Sequence, residues 1–169
     1  MLYLQLHARF GHFYRRNEGL WMGSSIVVPI DGSEHSLKAL EFAVQTANCS
    51  GDDIILVNVQ PRFEESWNPL KTDDEIQEIH HKTGEEQLKK AKEYLEHLNM
   101  PYTAKIRLGL PTIEICAEAK ENNARCIVMG SRGMGPDVSK ALGSVGYGVL
   151  HLTPCPLTLI PAQLVKENY

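Results

Sequence analysis

From Ser24 onward, short apolar runs alternate with longer stretches of helical periodicity, and few folds accommodate that order. The first run is Ile26-Val27-Val28-Pro29-Ile30, closed by the turn signal Asp31-Gly32. Ser33 can cap the helix that follows, where Leu37, Leu40, Val44 and Ala47 recur on one face. Residues 50–53 break the chain, and 54–59 give a second strand stopped by Pro61. After a loop through Trp67 and Pro69, Thr72-Asp73-Asp74-Glu75 forms a capping box. It opens a long charged helix to Leu98, with Ile76, Ile79, Leu88, Ala91, Leu95 and Leu98 expected on its inner face and Gly84 expected to weaken its middle. Residues 102–108 alternate as a strand, and Pro111 suits the first turn of a helix running to Asn122. Residues 126–129 form a fourth strand that enters a glycine-rich loop, 144–152 a last helix, and 156–160 a fifth strand. Short apolar strands separated by helical crossovers read as βαβ units on a parallel sheet covered on both faces. The fold expected is an α/β three-layer sandwich.

Composition removes several functional classes. The 169 residues carry 17 Lys+Arg against 21 Asp+Glu, a net charge of −4, without the basic excess of a nucleic-acid binder. No uncharged apolar stretch approaches the ~18 residues needed to span a membrane. Cys49, Cys116, Cys126 and Cys155 form no C-x-x-C pair and sit among apolar or small residues. Reduced, mostly buried thiols in a cytoplasmic protein are expected. The sequon Asn48-Cys49-Ser50 is read as a chance match.

Residues 1–23 differ from the rest, with Arg9, Arg15 and Arg16, five aromatics and the single acid Glu18. An arginine-rich, acid-poor segment suggests a mitochondrial presequence, but serine is absent and aromatics interrupt any clean apolar face. A poorly ordered extension, or an upstream start, is the preferred reading. The domain is then 24–163, followed by a tail at 164–169.

The chemistry concentrates after the fourth strand, in Gly130-Ser131-Arg132-Gly133-Met134-Gly135-Pro136 and, further on, Gly143-Ser144-Val145. Open α/β sheets bind ligands beyond the carboxyl ends of their strands, where this loop begins. Gly143-Ser144 opens the last helix, whose free N–H groups and dipole favour an anion, most plausibly phosphates. A Walker A loop is excluded because no Lys-Ser or Lys-Thr follows a glycine here. The dinucleotide G-x-G-x-x-G is missing after the first strand.

The spacing Gly-x2-Gly-x9-Gly-Ser at Gly130, Gly133, Gly143 and Ser144 resembles the ATP-binding signature of the universal stress protein family. The likeness extends over 24–161, through Val28-Pro29-Ile30-Asp31-Gly32-Ser33, Val57-Asn58-Val59, Met129-Gly130-Ser131-Arg132-Gly133 and Cys155-Pro156. It implies an adenine nucleotide alpha hydrolase-like fold, with a five-stranded parallel sheet of order 3-2-1-4-5. It also implies a homodimer through the final strand and ATP, with Mg²⁺, at the strand ends. By the same resemblance Asp31 should accept from the ribose, and Val59 should offer backbone groups to adenine with Pro29 and Met129 nearby. Gly133, Gly143, Ser144 and Val145 should hold the phosphates, with Gly130 and Arg132 in the same loop.

Plainer roles compete at several of these positions. Asp31 can support a turn, Ser144 can be an ordinary helix start, Met129 can be core, and Arg132 and Lys140 can simply face solvent. His80-His81 is expected on a solvated face, since adjacent helical side chains diverge by about 100° and cannot both ligate a metal. His35 and His151 lack a paired nucleophile, and Asp137 is a weak candidate for reaching Mg²⁺ through water. Three classes remain: an ATP-binding regulatory protein of the stress response, a slow ATP hydrolase or phosphotransferase, and a nucleotide-free dimerisation module. The first is preferred, because the loop offers a phosphate cradle without a base or Walker lysine.

Overall fold

The computed structural model describes residues 24–62, 73–132 and 142–161. Among these residues nine elements follow in strict alternation: β1 (Ser25–Pro29), α1 (Glu34–Ser50), β2 (Asp53–Gln60), α2 (Asp73–His97), β3 (Tyr102–Leu108), α3 (Pro111–Glu121), β4 (Cys126–Gly130), α4 (Ser144–Leu152) and β5 (Leu157–Ile160). The strands form one sheet in the order β3-β2-β1-β4-β5. Every pairing is parallel, with Ile26 aligned to Ile54 on one side and to Cys126 on the other. The expected sandwich and strand order are both present.

Continuous apolar strands are needed because helices cover both faces of the sheet. On one face Ile26, Val28, Ile54, Leu56 and Val128 pack with Ala39, Leu40, Ala43 and Val44 of α1 and Leu88, Ala91 and Leu95 of α2. On the other, Val27, Ile55, Val57, Ile127 and Met129 pack with Ile115, Cys116 and Ala119 of α3 and Val149 of α4. The helix ends follow local chemistry. Ser33 caps α1 by accepting from the Ser36 N–H at 3.2 Å, and Gly51 closes it with φ 74°, a left-handed conformation that costs glycine little.

The long helix α2 buries Leu88, Ala91 and Leu95 as expected but departs from expectation at Ile79, Leu98 and His80, the last expected on a solvated face. Ile79 is 39% exposed and Leu98 46%, while His80 is only 3% exposed. The inward stripe is His80, Gly84, Leu88, Ala91 and Leu95. Gly84 is the contact point rather than a weakness, since a Cβ there would lie 2.8 Å from Ile106 Cδ1 and 3.0 Å from Asn58 Oδ1. Glycine lets this helix lie directly on the sheet. Thr72 of the expected capping box, the loop through Trp67 and Pro69, and residues 1–23 and 164–169 lie outside the described residues.

A charged latch ties α3 to the edge strand β3. Glu114, Glu118 and Glu121 recur on one face of α3, and Arg107 reaches all three at 2.6–2.8 Å. Glu118 has no exposed side-chain surface and also pairs with Lys105 at 2.6 Å and accepts from Asn122 Nδ2 at 2.6 Å. A buried carboxylate is tolerable only when its oxygens are satisfied in this way. Hydrogen bonding to Glu121 and its neighbours pushes the Arg107 guanidinium further up, against the lowering effect of its partial burial.

Candidate functional site

β1 and β4 are neighbours in the sheet, yet the crossover after β1 uses α1 on one face and the crossover after β4 uses α4 on the other. Their carboxyl ends therefore part and leave a crevice. A cleft of about 330 Å³ lies there, within the size range of small-molecule sites. Pro29, Asp31, Val59, Met129, Gly130, Arg132, Gly143, Ser144 and Val145 all line it. Gly133, together with Asp137 and Lys140, lies outside the described residues.

The cleft has chemically distinct parts. Pro29, Val57, Val59, Ile115 and Met129 supply apolar wall, and Met129 belongs to the core as well. Asp31 stands at the exit of β1, where its Oδ1 accepts from the Ser33 N–H at 3.0 Å and the Ser33 hydroxyl at 2.6 Å. The turn-supporting role is thus present at the same residue that faces the cleft. Gly32, with φ 85°, allows the reversal between Asp31 and α1.

The opposite rim is the start of α4. Gly143 is its N-cap and brings no side chain, and the Tyr147 N–H makes the first helical bond, to the Gly143 carbonyl at 2.9 Å. Ser144, Val145 and Gly146 precede that bond and line the cleft. Their N–H groups are the ones a helix leaves for an outside acceptor, and the helix dipole adds positive potential. An anionic group fits there. Arg132, beyond β4, contributes a cation to the lining.

Gly130 is explained by close packing. A Cβ would sit 2.9 Å from the Arg132 carbonyl oxygen and 3.0 Å from both Cβ and the carbonyl oxygen of His35, so β4 and α1 meet here without room for a side chain. His35 Nδ1 is buried at this junction with no hydrogen-bond partner among the described residues.

Ile30, Ser36, Val57, Pro111, Ile115, Ser131, Leu142 and Gly146 also line the cleft but were absent from the sequence-based set. Ser131, Leu142 and Gly146 adjoin the glycine signature, so proximity to it was an available signal. Pro111 and Ile115 come from α3, and only the side of the sheet that α3 covers brings them in.

The cysteines near this layer offer no nucleophile. Burial pushes the thiols of Cys116 and Cys155 up, which keeps them protonated. Cys126 is half-buried, and Cys49, contrary to the expectation of burial, is exposed.

Residues 22–161 match the sequence pattern of the universal stress protein family. The chain belongs to that family. Universal stress protein MJ0531 of Methanocaldococcus jannaschii is 31% identical over 153 residues, covering 86% of this chain and 85% of the relative. Universal stress protein YxiE of Bacillus subtilis is 31% identical over 147 residues, covering 82% and 99% respectively. Among solved structures, hypothetical protein MJ0577 superimposes with a TM-score of 0.73 at 24% identity, covering 84% of this chain and 98% of its own. A universal stress protein in complex with cAMP gives 0.63 at 21% identity, covering 82% and 97%. The Archaeoglobus fulgidus universal stress protein in complex with dAMP gives 0.60 at 24%, covering 80% and 96%. At these identities the superpositions establish the shared architecture.

Proposed function

We propose that this universal stress protein binds ATP in the β1/β4 crevice and acts as a nucleotide-dependent regulatory protein of the stress response. The observation that carries the reading is the start of α4, whose first N–H groups line a cleft with an apolar wall and a carboxylate at its rim. Each part suits one portion of the nucleotide. Adenine would lie against Pro29, Val59 and Met129, and the Val59 backbone would meet its polar edge. Asp31 would accept from ribose hydroxyls, since a charge-assisted hydrogen bond is among the stronger ones. The phosphates would reach Gly143, Ser144 and Val145, with Gly130, Arg132 and Gly133 alongside. A carboxylate repels a polyphosphate, so the sugar lies between the two.

The cAMP and dAMP complexes of structurally similar proteins support an adenine nucleotide as the ligand class. Among the described residues no three His, Cys, Asp or Glu side chains gather as a metal site. Mg²⁺ would arrive on phosphate oxygens, as it commonly does. Residues 24–163 form the nucleotide-binding unit in this reading. A second copy pairs through β5, and the free thiols fit the cytoplasm.

A regulatory role requires that ATP favour one of two states of the protein. Mass spectrometry of small molecules released from purified protein by denaturation tests the ligand, with ATP expected. Folded protein that releases no nucleotide and takes up no ATP at about millimolar concentration, a Kd beyond which a binding site contributes little, would overturn the reading.

A further inference from the structure

Val57 and Val59 of β2 line the cleft, so the alternating residues Asn58 and Gln60 point to the opposite face of the sheet. There, with Gln87 of α2, they build a compact cluster of three amides. Asn58 Nδ2 donates to the Ile30 carbonyl at 2.8 Å and to Gln87 Oε1 at 2.7 Å. Gln60 Nε2 donates to Asn58 Oδ1 at 2.6 Å and to Gln87 Oε1 at 2.8 Å. Asn58 and Gln60 are buried. Each of their NH₂ groups spends both hydrogens, and Gln87 Oε1 is the acceptor they share.

This cluster brackets Asp31. The Ile30 N–H donates to the Val57 carbonyl at 2.9 Å, so with Asn58 both backbone groups of the preceding residue are held by β2. On the following side Gln87 packs beneath the turn, and a Cβ on Gly32 would lie 3.3 Å from Gln87 Cγ. The turn thus rests on α2, which the close approach at Gly84 seats against Asn58. An apolar residue at 87 would strand two buried N–H donors, and such a cluster rearranges rather than bear that cost.

We infer that Asn58, Gln60 and Gln87 are positioning residues of the cleft: they fix the 30–32 turn and, through it, the angle at which Asp31 meets the sugar hydroxyls of a nucleotide. The inference rests on the adenine-nucleotide reading above. It makes α2, on the far face of the sheet, a support of the binding site.

Calorimetry of ATP against 2′,3′-dideoxy-ATP tests it, because the second ligand lacks the hydroxyls that Asp31 would engage. The wild-type protein should prefer ATP by about tenfold, the size expected for a hydrogen bond to a charged group. Gln87→Leu should bring that preference to within about twofold while dideoxy-ATP still binds. Gln87→Glu, which still accepts from both amides, should retain it. General loss of stability would weaken both ligands alike and leave the ratio unchanged. A folded Gln87→Leu protein with the wild-type ratio overturns the inference. Should Gln87→Leu fail to fold, the wild-type protein carries the test by NMR. ATP should slow hydrogen exchange of the Asn58 and Gln60 side-chain amides where inorganic triphosphate does not, and equal effects overturn the inference. Wild-type protein that binds neither nucleotide refutes the nucleotide reading itself, which is a separate outcome.

Discussion

The amide of Gly143 donates to the carbonyl of Ser131 at 2.8 Å, tying the chain that leaves β4 to the chain that enters α4. Both residues line the cleft, so this bond fixes the mouth of the segment between them and sets where the first turn of α4 stands. It also brings the chain just beyond Gly130 back to Gly143, although twelve residues separate the two glycines.

Gly143 has φ −70° and ψ 159°, an extended conformation open to any residue. Valine should therefore be accommodated by the backbone, at a cost of about 1 kcal/mol for a poorer N-cap. Its branched side chain would stand in front of the N–H groups that Gly143 leaves uncovered. Titration calorimetry should show ATP affinity falling at least about tenfold in Gly143→Val, with the circular dichroism spectrum unchanged. Unaltered affinity would remove the start of α4 from the site.

Gly130→Ala should act through packing. The added methyl would press on backbone oxygens of Arg132 and His35, neither of which can rotate away as a flexible side chain would. A cost of about 1–3 kcal/mol is expected, typical of overpacking, and urea denaturation would read it as a lower midpoint. A neutral effect would mean that α1 and β4 separate more easily than their contact implies.

The latch on α3 gives a paired prediction. Arg107→Met leaves the carboxylate of Glu118, which has no exposed surface, with Lys105 as its remaining cation. A loss of about 3 kcal/mol is expected, as for other broken buried pairs. The acid side tests the same contact. The hydrogen bond from Arg107 holds the Glu121 carboxyl below its ordinary value of 4.5. A group depressed on folding stabilises the native state above its unfolded pKa, and that contribution fades as pH falls through the folded value. Urea midpoints measured from about pH 5 down to about pH 3 should fall less steeply in Arg107→Met than in the wild type. Parallel slopes would contradict the pairing.

The far edge of the sheet predicts assembly. Ile127 and Ser131 donate to the carbonyls of Pro156 and Ile160, so alternate residues of this stretch turn their backbone groups toward β4. Leu157 and Leu159 accordingly turn theirs away from it. Proline at 159 removes an outward N–H, a change that edge strands tolerate. Light scattering should find the wild type dimeric and Leu159→Pro monomeric. A dimer that persists would place the interface elsewhere.

Much of this fold is legible in the sequence because its strands are buried on both faces and therefore read as unbroken apolar runs. The strand at 102–108 and the helix at 144–152 coincide with β3 and α4, and the remaining strand ends differ by at most one residue. The orientation of α2 is legible at Leu88, Ala91 and Leu95 but not in its first half. Its inward stripe opens with His80 and Gly84, which carry no hydrophobic signal, while Ile79 one position away does and faces out. The β1, β2 and β4 residues of the cleft follow from the family resemblance and the strand order it implies, with the glycine spacing as its anchor. The amide cluster and the Arg107 latch join residues far apart in sequence whose polar side chains look like ordinary surface. One trace of the latch is present in advance: Glu114, Glu118 and Glu121 fall on a single face of α3, and Lys105 and Arg107 alternate on β3.

The placement of that latch reaches beyond α3. One flank of the sheet, β3, carries Lys105 and Arg107, whereas the other ends in Leu157-Thr158-Leu159-Ile160. Charged borders resist lateral addition of further chains and apolar ones invite it. A two-fold pairing would consume the one inviting border of each molecule and leave the repellent borders outermost. Growth into a ribbon would then stop at two.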